Sequence, residues 1–263
     1  MQITMKSGLK GPHKQGNNLM KKMILRCVAV LMLAGACYPA IAAVNLDRTR
    51  IIYNASDKSV SVMLENQSKE LPYLAQVWLE NAQGEKITSP LVALPPMQRI
   101  DAGQKSQIRI LQLPETAGLP KDRESLFYFN VREVPPKSDM SNVMQVAIQS
   151  RVKLFFRPAE LRKQLKANWQ EQLQVSRLSN GLKLTNPTPF YITVGYLGKD
   201  NKGNASGFDS VMLAPFATES LTGNQYVSDR YSLGYMDDYG GLQVNQYHCP
   251  SVQCQLISRD DKR

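Results

Sequence analysis

Residues 142–156, NVMQVAIQSRVKLFF, decide how the rest of the chain is read. Laid out as an extended chain, Met144, Val146, Ile148 and Val152 fall on one side, with Gln145, Ala147, Gln149 and Arg151 on the other. Period-two alternation marks a half-buried strand, because successive side chains of a strand point to opposite faces. Lys153 and Arg157 then place fixed positive charge at the end of this long, half-apolar run.

Shorter runs of the same kind surround it. SVSVMLEN carries Val60, Val62 and Leu64 on one face, and LPYLAQVWLEN sets Tyr73, Ala75, Val77 and Leu79 opposite Leu74, Gln76 and Trp78. QKSQIRILQL and ESLFYFNVREV complete a first group; GLKLTNPTPFYITVGYLG and FDSVMLAPF begin a second. Each run has strand length and is bounded by Pro, Gly, Asn or Asp, the pattern of an all-β sandwich. About seven strands in roughly 115 residues suit one immunoglobulin-like domain, and the remainder suits a smaller second one. The boundary is expected near RPAELRKQLKANWQ, as a short helix or a bent linker after Pro158, giving domains of 43–162 and 163–263. Pro95-Pro96 in LPPMQR predicts a turn, open to a cis bond, rather than a central strand.

Residues 1–42 read as an upstream extension followed by a cleaved signal peptide. Lys21, Lys22 and Arg26 stand before or at the edge of an apolar run from Met23 to Ala36, and Ala40-Ile41-Ala42 gives the small-x-small pattern before Ala43. The run is shorter than the roughly 20 residues needed to span a bilayer. LAGAC has one residue too many for the usual lipoprotein spacing at Cys37, and the stretch before Met20 suggests a misassigned start. Export also changes the charge argument. Six of the 32 basic residues and none of the 22 acidic ones lie in residues 1–42, which leaves 26 against 22, or +4. Nucleic-acid binding then has no compositional support.

Two cysteines remain after cleavage, Cys249 and Cys254 in HCPSVQC. An isolated C-x4-C pair in an exported chain reads as a short-loop disulfide rather than half a metal site, since no second Cys or His cluster accompanies His248. Catalytic patterns are lacking: His248 is the sole histidine outside the leader, GKDNKGN has no Lys-Ser/Thr to make a phosphate loop, and MDDYGG has no partner ligands at metal spacing. No cofactor or metal is implied, and binding is the expected activity.

Several stretches, in order along the chain, together resemble the periplasmic pilus-assembly chaperones of the PapD-like family. They are VNLDRTRIIY, LPYLAQVWLEN, PPMQRI, DRESLFYFNVREVPPKS, NVMQVAIQSRVKLFFRP, LTNPTPFYITV, VMLAPF and DDYGG. The resemblance implies two immunoglobulin-like domains in a boomerang, joined at a cleft. It implies that the long strand is lent to a pilus subunit lacking its final strand, with Met144, Val146 and Ile148 inserted into the subunit's groove. Arg50 in DRTRII and Lys153 in RVKLFF match the pair that anchors the subunit's C-terminal carboxylate. Glu124, Arg157 and Asp238 match an interdomain ion-pair network, and Cys249–Cys254 matches a second-domain disulfide of many members. The short VPPKSDMS connection resembles the short-loop subgroup, associated with rod-like pili. Implied partners are pilins, a tip adhesin and an outer-membrane usher, in the periplasm; separately, a long apolar edge invites pairing, which leaves self-association of the free chain open. The competing class is an exported fimbrial subunit or adhesin, but AVNLDRTR is short and charged for the self-complementing extension such a protein needs.

Overall fold

The computed structural model describes residues 43–138, 142–165, 168–199 and 203–259. The leader expected in residues 1–42 therefore lies outside the described residues. The first half, among the described residues, is formed by β1 (Val44–Leu46), β2 (Arg50–Asn54), β3 (Ser59–Asn66), β4 (Tyr73–Glu80), β5 (Lys86–Ile87), β6 (Leu91–Leu94), β7 (Met97–Ile100), β8 (Lys105–Gln112), β9 (Ser125–Val134) and β10 (Gln149–Arg157). They make two sheets, ordered β1-β3-β8-β6 and β2-β10-β9-β4-β5, with β7 also on β4. The predicted alternation holds here. Val62 and Leu64 of β3, and Ala75, Val77 and Leu79 of β4, are buried between the sheets with Ile108, Ile110, Phe129 and Leu154.

The second half, among the described residues, is formed by β11 (Gln174–Leu178), β12 (Gly181–Thr185), β13 (Ile192–Gly198), β14 (Val211–Leu213), β15 (Thr218–Thr222), β16 (Arg230–Met236), β17 (Leu242–His248) and β18 (Gln255–Arg259). Sheets β11-β12-β15 and β14-β13-β16-β17-β18 enclose a second core around Leu182, Leu184, Phe190, Ile192, Val194 and Leu233. The fold is thus two packed β-sandwiches. The stretch between them carries two 3-10 turns, Ala159–Gln164 and Trp169–Gln172, with Leu161 and Trp169 buried in the second core. The peptide bond Leu94–Pro95 is cis, in the turn read from LPPMQR; Ser89–Pro90 is a second cis bond that the sequence did not suggest.

The two sandwiches share one device. Asn66, fully buried at the end of β3, donates from Nδ2 to the carbonyls of Leu71 (2.9 Å) and Ile100 (3.0 Å) and accepts the Ser68 N–H at 3.0 Å. Asn186, fully buried just after β12, donates to Phe190 (2.7 Å) and Ala214 (2.9 Å) and accepts the Thr188 N–H at 3.0 Å. Each asparagine satisfies the backbone of a loop that leaves its sheet, where unpaired polar groups would be costly.

The long strand starts later than its alternation suggests. β10 begins at Gln149, and residues 143–148 lie outside every strand. The reason is the neighbouring strand. Gln149 stands opposite Arg132, and one more bond, from the Glu133 N–H to the Ile148 carbonyl at 3.0 Å, continues the ladder. Beyond Val134 the partner becomes Pro135-Pro136, which has no N–H to donate. The ladder stops, and Met144 (89% exposed) and Val146 (65% exposed) are left without cover.

Candidate functional site

Alternation assigns the two faces of β10. Val152, Leu154 and Phe156 pack into the first core, which sends Arg151, Lys153, Phe155 and Arg157 to the other face. β2 lies parallel to β10 with Arg50 directly beside Lys153, so two cations share one row of one face. Both are half-buried. Burial, then the neighbouring Arg50 charge, pulls the Lys153 ammonium below its usual range. Burial likewise lowers Arg50, and Asp238, Asp237 and Glu124 partly restore it. Arg50 Nη1 donates to the Met236 carbonyl at 3.5 Å, while its buried Nε has no partner. Neither side chain forms a salt bridge among the described residues. Two partly desolvated like charges without a counter-ion are unfavourable by themselves and favour binding of an anion. A cleft of about 700 Å³, lined by Arg50, Ile52, Arg162 and Tyr239 among others, keeps Arg50 reachable.

The same register leaves an open edge. β2 begins at Arg50, so it covers β10 only from Lys153 onward. Among the described residues, Gln149–Val152 are paired with β9 on one side and with no strand on the other.

Behind this row lies the joint between the sandwiches. Arg157, at the end of β10 and 4% exposed, donates from Nε to Glu124 Oε1 at 2.8 Å and from Nη1 and Nη2 to Asp238 at 2.8 and 3.1 Å. Glu124 Oε2 accepts the Tyr191 N–H at 2.8 Å, and the Glu124 N–H donates to the Pro189 carbonyl at 2.9 Å. Burial pushes the Glu124 carboxyl up to about 7, opposed by Arg157 and the Tyr191 N–H. Apolar contacts flank the charges: the Phe155 and Tyr191 rings lie 5.5 Å apart, and the Arg157 guanidinium sits 5.0 Å from the Phe190 ring centre. Asp237, next to Asp238, accepts the N–H groups of Tyr239 and Gly241 and so holds the β16–β17 turn. Gly240 in that turn has φ +87°, and a Cβ there would run into Thr49 Oγ1.

The structure therefore brings Arg50 and Lys153 together, and Glu124, Arg157 and Asp238 together. Met144 and Val146 stand apart from both groups. Cys249 and Cys254 are disulfide-bonded and buried, joining the residue after β17 to the residue before β18. Among the described residues, no cluster of three or more Cys, His, Asp or Glu is placed to hold a metal ion, and no helix is long and apolar enough to cross a membrane. Sequence reasoning missed Tyr191, Tyr128 and the Arg151–Glu80 pair, whose places follow from strand register rather than from any local motif.

Two packed sandwiches thus carry a strand edge beside two half-buried cations that form no salt bridge among the described residues. Comparison with known proteins identifies the family. Residues 43–162 match the family described as "Pili and flagellar-assembly chaperone, PapD N-terminal domain", and residues 168–247 match "Pili assembly chaperone PapD, C-terminal domain". An Escherichia coli K12 protein named as the uncharacterized fimbrial chaperone YbgP is 50% identical over 235 residues, covering 88% of this chain and 97% of its own. The Escherichia coli chaperone protein PapD is 42% identical over 238 residues, or 90% and 97%. A solved chain from the Salmonella enterica SafA pilin complex with the SafB chaperone aligns at TM-score 0.66 and 25% identity, over 84% of this chain and 99% of that one. The chain belongs to the PapD-like pilus-assembly chaperones. That membership sets aside the fimbrial-subunit alternative and implies a role in binding rather than catalysis.

Proposed function

We propose that the chain, exported to the periplasm through a cleaved leader in residues 1–42, captures pilus subunits by lending them the edge of residues 143–152. Met144, Val146 and Ile148 enter the subunit's apolar groove, Arg50 and Lys153 clasp its C-terminal carboxylate, and the complex is delivered to an outer-membrane usher. Pilins and a tip adhesin are the subunits served; the SafB chaperone's own solved complex is with a pilin. The observation that carries this reading is the juxtaposition of Arg50 and Lys153, half-buried and in no salt bridge among the described residues, where the open edge of β10 begins.

The physics divides the work between the two features. Burying three side chains of this class stabilises by roughly 1.5–3 kcal/mol each, as an upper bound, and depends weakly on subunit sequence. Charge-assisted bonds to one terminal carboxylate fix the register. Truncating one partner of such a buried charge pair costs about 2–5 kcal/mol. Glu124, Arg157 and Asp238 hold residues 43–162 and 163–263 at a fixed angle, and the free chain self-associates through the same edge.

Co-purification from periplasm tests the reading. The wild type should bring down a smaller subunit in equimolar amount, and Lys153→Glu should abolish capture without unfolding. Retained capture by Lys153→Glu overturns the assigned clasp.

A further inference from the structure

The row that holds Arg50 and Lys153 does not end with them. In register across four neighbouring strands stand Arg50 (β2), Lys153 (β10), Tyr128 (β9) and Glu80 (β4), all on one face. Two of these are cations and one is a carboxylate already occupied. Glu80 accepts the Trp78 indole N–H at 2.9 Å and Arg151 Nε at 2.8 Å. The phenol between them is the member with no assigned task.

Tyr128 is held from one side. Arg151 precedes Lys153 by two positions and shares its face, yet its guanidinium does not join the clasp. Its central carbon lies over Tyr128, 3.4 Å from the ring centre, and its Nε pairs with Glu80. A stacked, ion-paired guanidinium fixes the ring beneath it. The Tyr128 hydroxyl has no hydrogen-bond partner among the described residues. It interacts electrostatically with the hydroxyl of Tyr191, which packs on Phe155 at the joint. In the row itself Tyr128 stands directly beside Lys153, on the side away from Arg50.

We propose that Tyr128 is a third binding residue of the clasp, its hydroxyl donating to the carboxylate that Arg50 and Lys153 hold, with Arg151 and Glu80 as positioning residues. This rests on the reading of Arg50 and Lys153 as the carboxylate site. An ionised carboxylate has about four acceptor positions, more than two cations fill in one geometry. A neutral donor adds a bond without burying a third charge beside two that already repel. Drawing Arg151 off to Glu80 has the same effect, since a free guanidinium there would further disfavour a charged Lys153.

The test is a titration with a synthetic peptide copying the C-terminal strand of a co-purifying subunit, made as free acid and as amide. Tyr128→Phe keeps the ring and should weaken the free acid by about ten-fold while leaving the amide unchanged. Glu80→Gln should lower the acid-over-amide preference by a smaller factor. Arg151→Lys, which keeps the charge but not the planar stack, should fall between Glu80→Gln and wild type. If Lys153→Met loses the preference and Tyr128→Phe keeps it in full, Tyr128 is no part of the clasp. If Lys153→Met also keeps it, the clasp itself is wrongly placed and this assignment falls with it.

Discussion

Arg157 and Asp238 meet as a two-pronged pair, Nη1 to Oδ2 at 2.8 Å and Nη2 to Oδ1 at 3.1 Å, and they join β10 of one sandwich to the β16–β17 turn of the other. The Arg157 side chain is 5% exposed and that of Asp238 is 30% exposed, so the two ends of the pair are not energetically equivalent. Arg157→Met strands Glu124 without its counter-ion and should cost about 3–5 kcal/mol in urea unfolding at pH 8. Asp238→Asn leaves Arg157 still paired with Glu124 and should cost clearly less. Equal losses would show that burial does not govern the joint.

Glu124 makes stability depend on pH in an unusual direction for a carboxylate. Its folded value of about 7 lies above the ordinary 4.5. Its contribution is therefore fully present below about 4.5 and is lost as pH rises through about 7. Between pH 5 and pH 8 the wild type should lose stability relative to Glu124→Gln, as read from urea midpoints at both values. Parallel pH profiles would show that Glu124 does not titrate in this window.

Lys153 should be a liability in the free protein. It is half-buried beside Arg50 with no counter-ion, so Lys153→Met should leave the unfolding midpoint unchanged or raise it. The same variant should lose subunit capture. Calorimetry and co-purification on one preparation check both halves; a large drop in melting temperature would contradict the first.

Gly240 combines a left-handed φ of +87° with the close approach of Thr49. Gly240→Ala should destabilise by about 1–3 kcal/mol through backbone strain, with the added collision acting across the joint. Pairing it with Thr49→Ser, which keeps the hydroxyl, should give no relief, whereas Thr49→Gly should recover part of the loss.

The Cys249–Cys254 bond closes a loop of sequence separation 5. Replacing both cysteines with serine should cost less than the roughly 3 kcal/mol estimated for a 15-residue loop. The loss should concentrate in hydrogen exchange of β17 and β18, leaving β10 unaffected.

Much of the fold is legible in local alternation, because period two depends only on which face meets the core. Val77 and Leu79 against Trp78 is an example: the first two are buried, and the indole is not. Alternation failed at Met144, Val146 and Ile148, because it says nothing about whether a partner strand can donate. That limit came from Pro135-Pro136, a few residues upstream. The Asn66 and Asn186 correspondence was equally hidden: no repeat is visible in the sequence, since the likeness lies in one residue's bonding pattern. The family resemblance supplied Arg50, Lys153, Glu124, Arg157 and Asp238, whereas Tyr128 needed the register of four strands.

Pro135-Pro136 end more than a ladder. A domain whose own sheet could absorb residues 143–148 would zip them shut, and any guest would first have to pry them loose. Prolines that cannot donate keep residues 143–148 out of the domain's own ladder, so under the function proposed above no native pairing has to break before a guest strand binds.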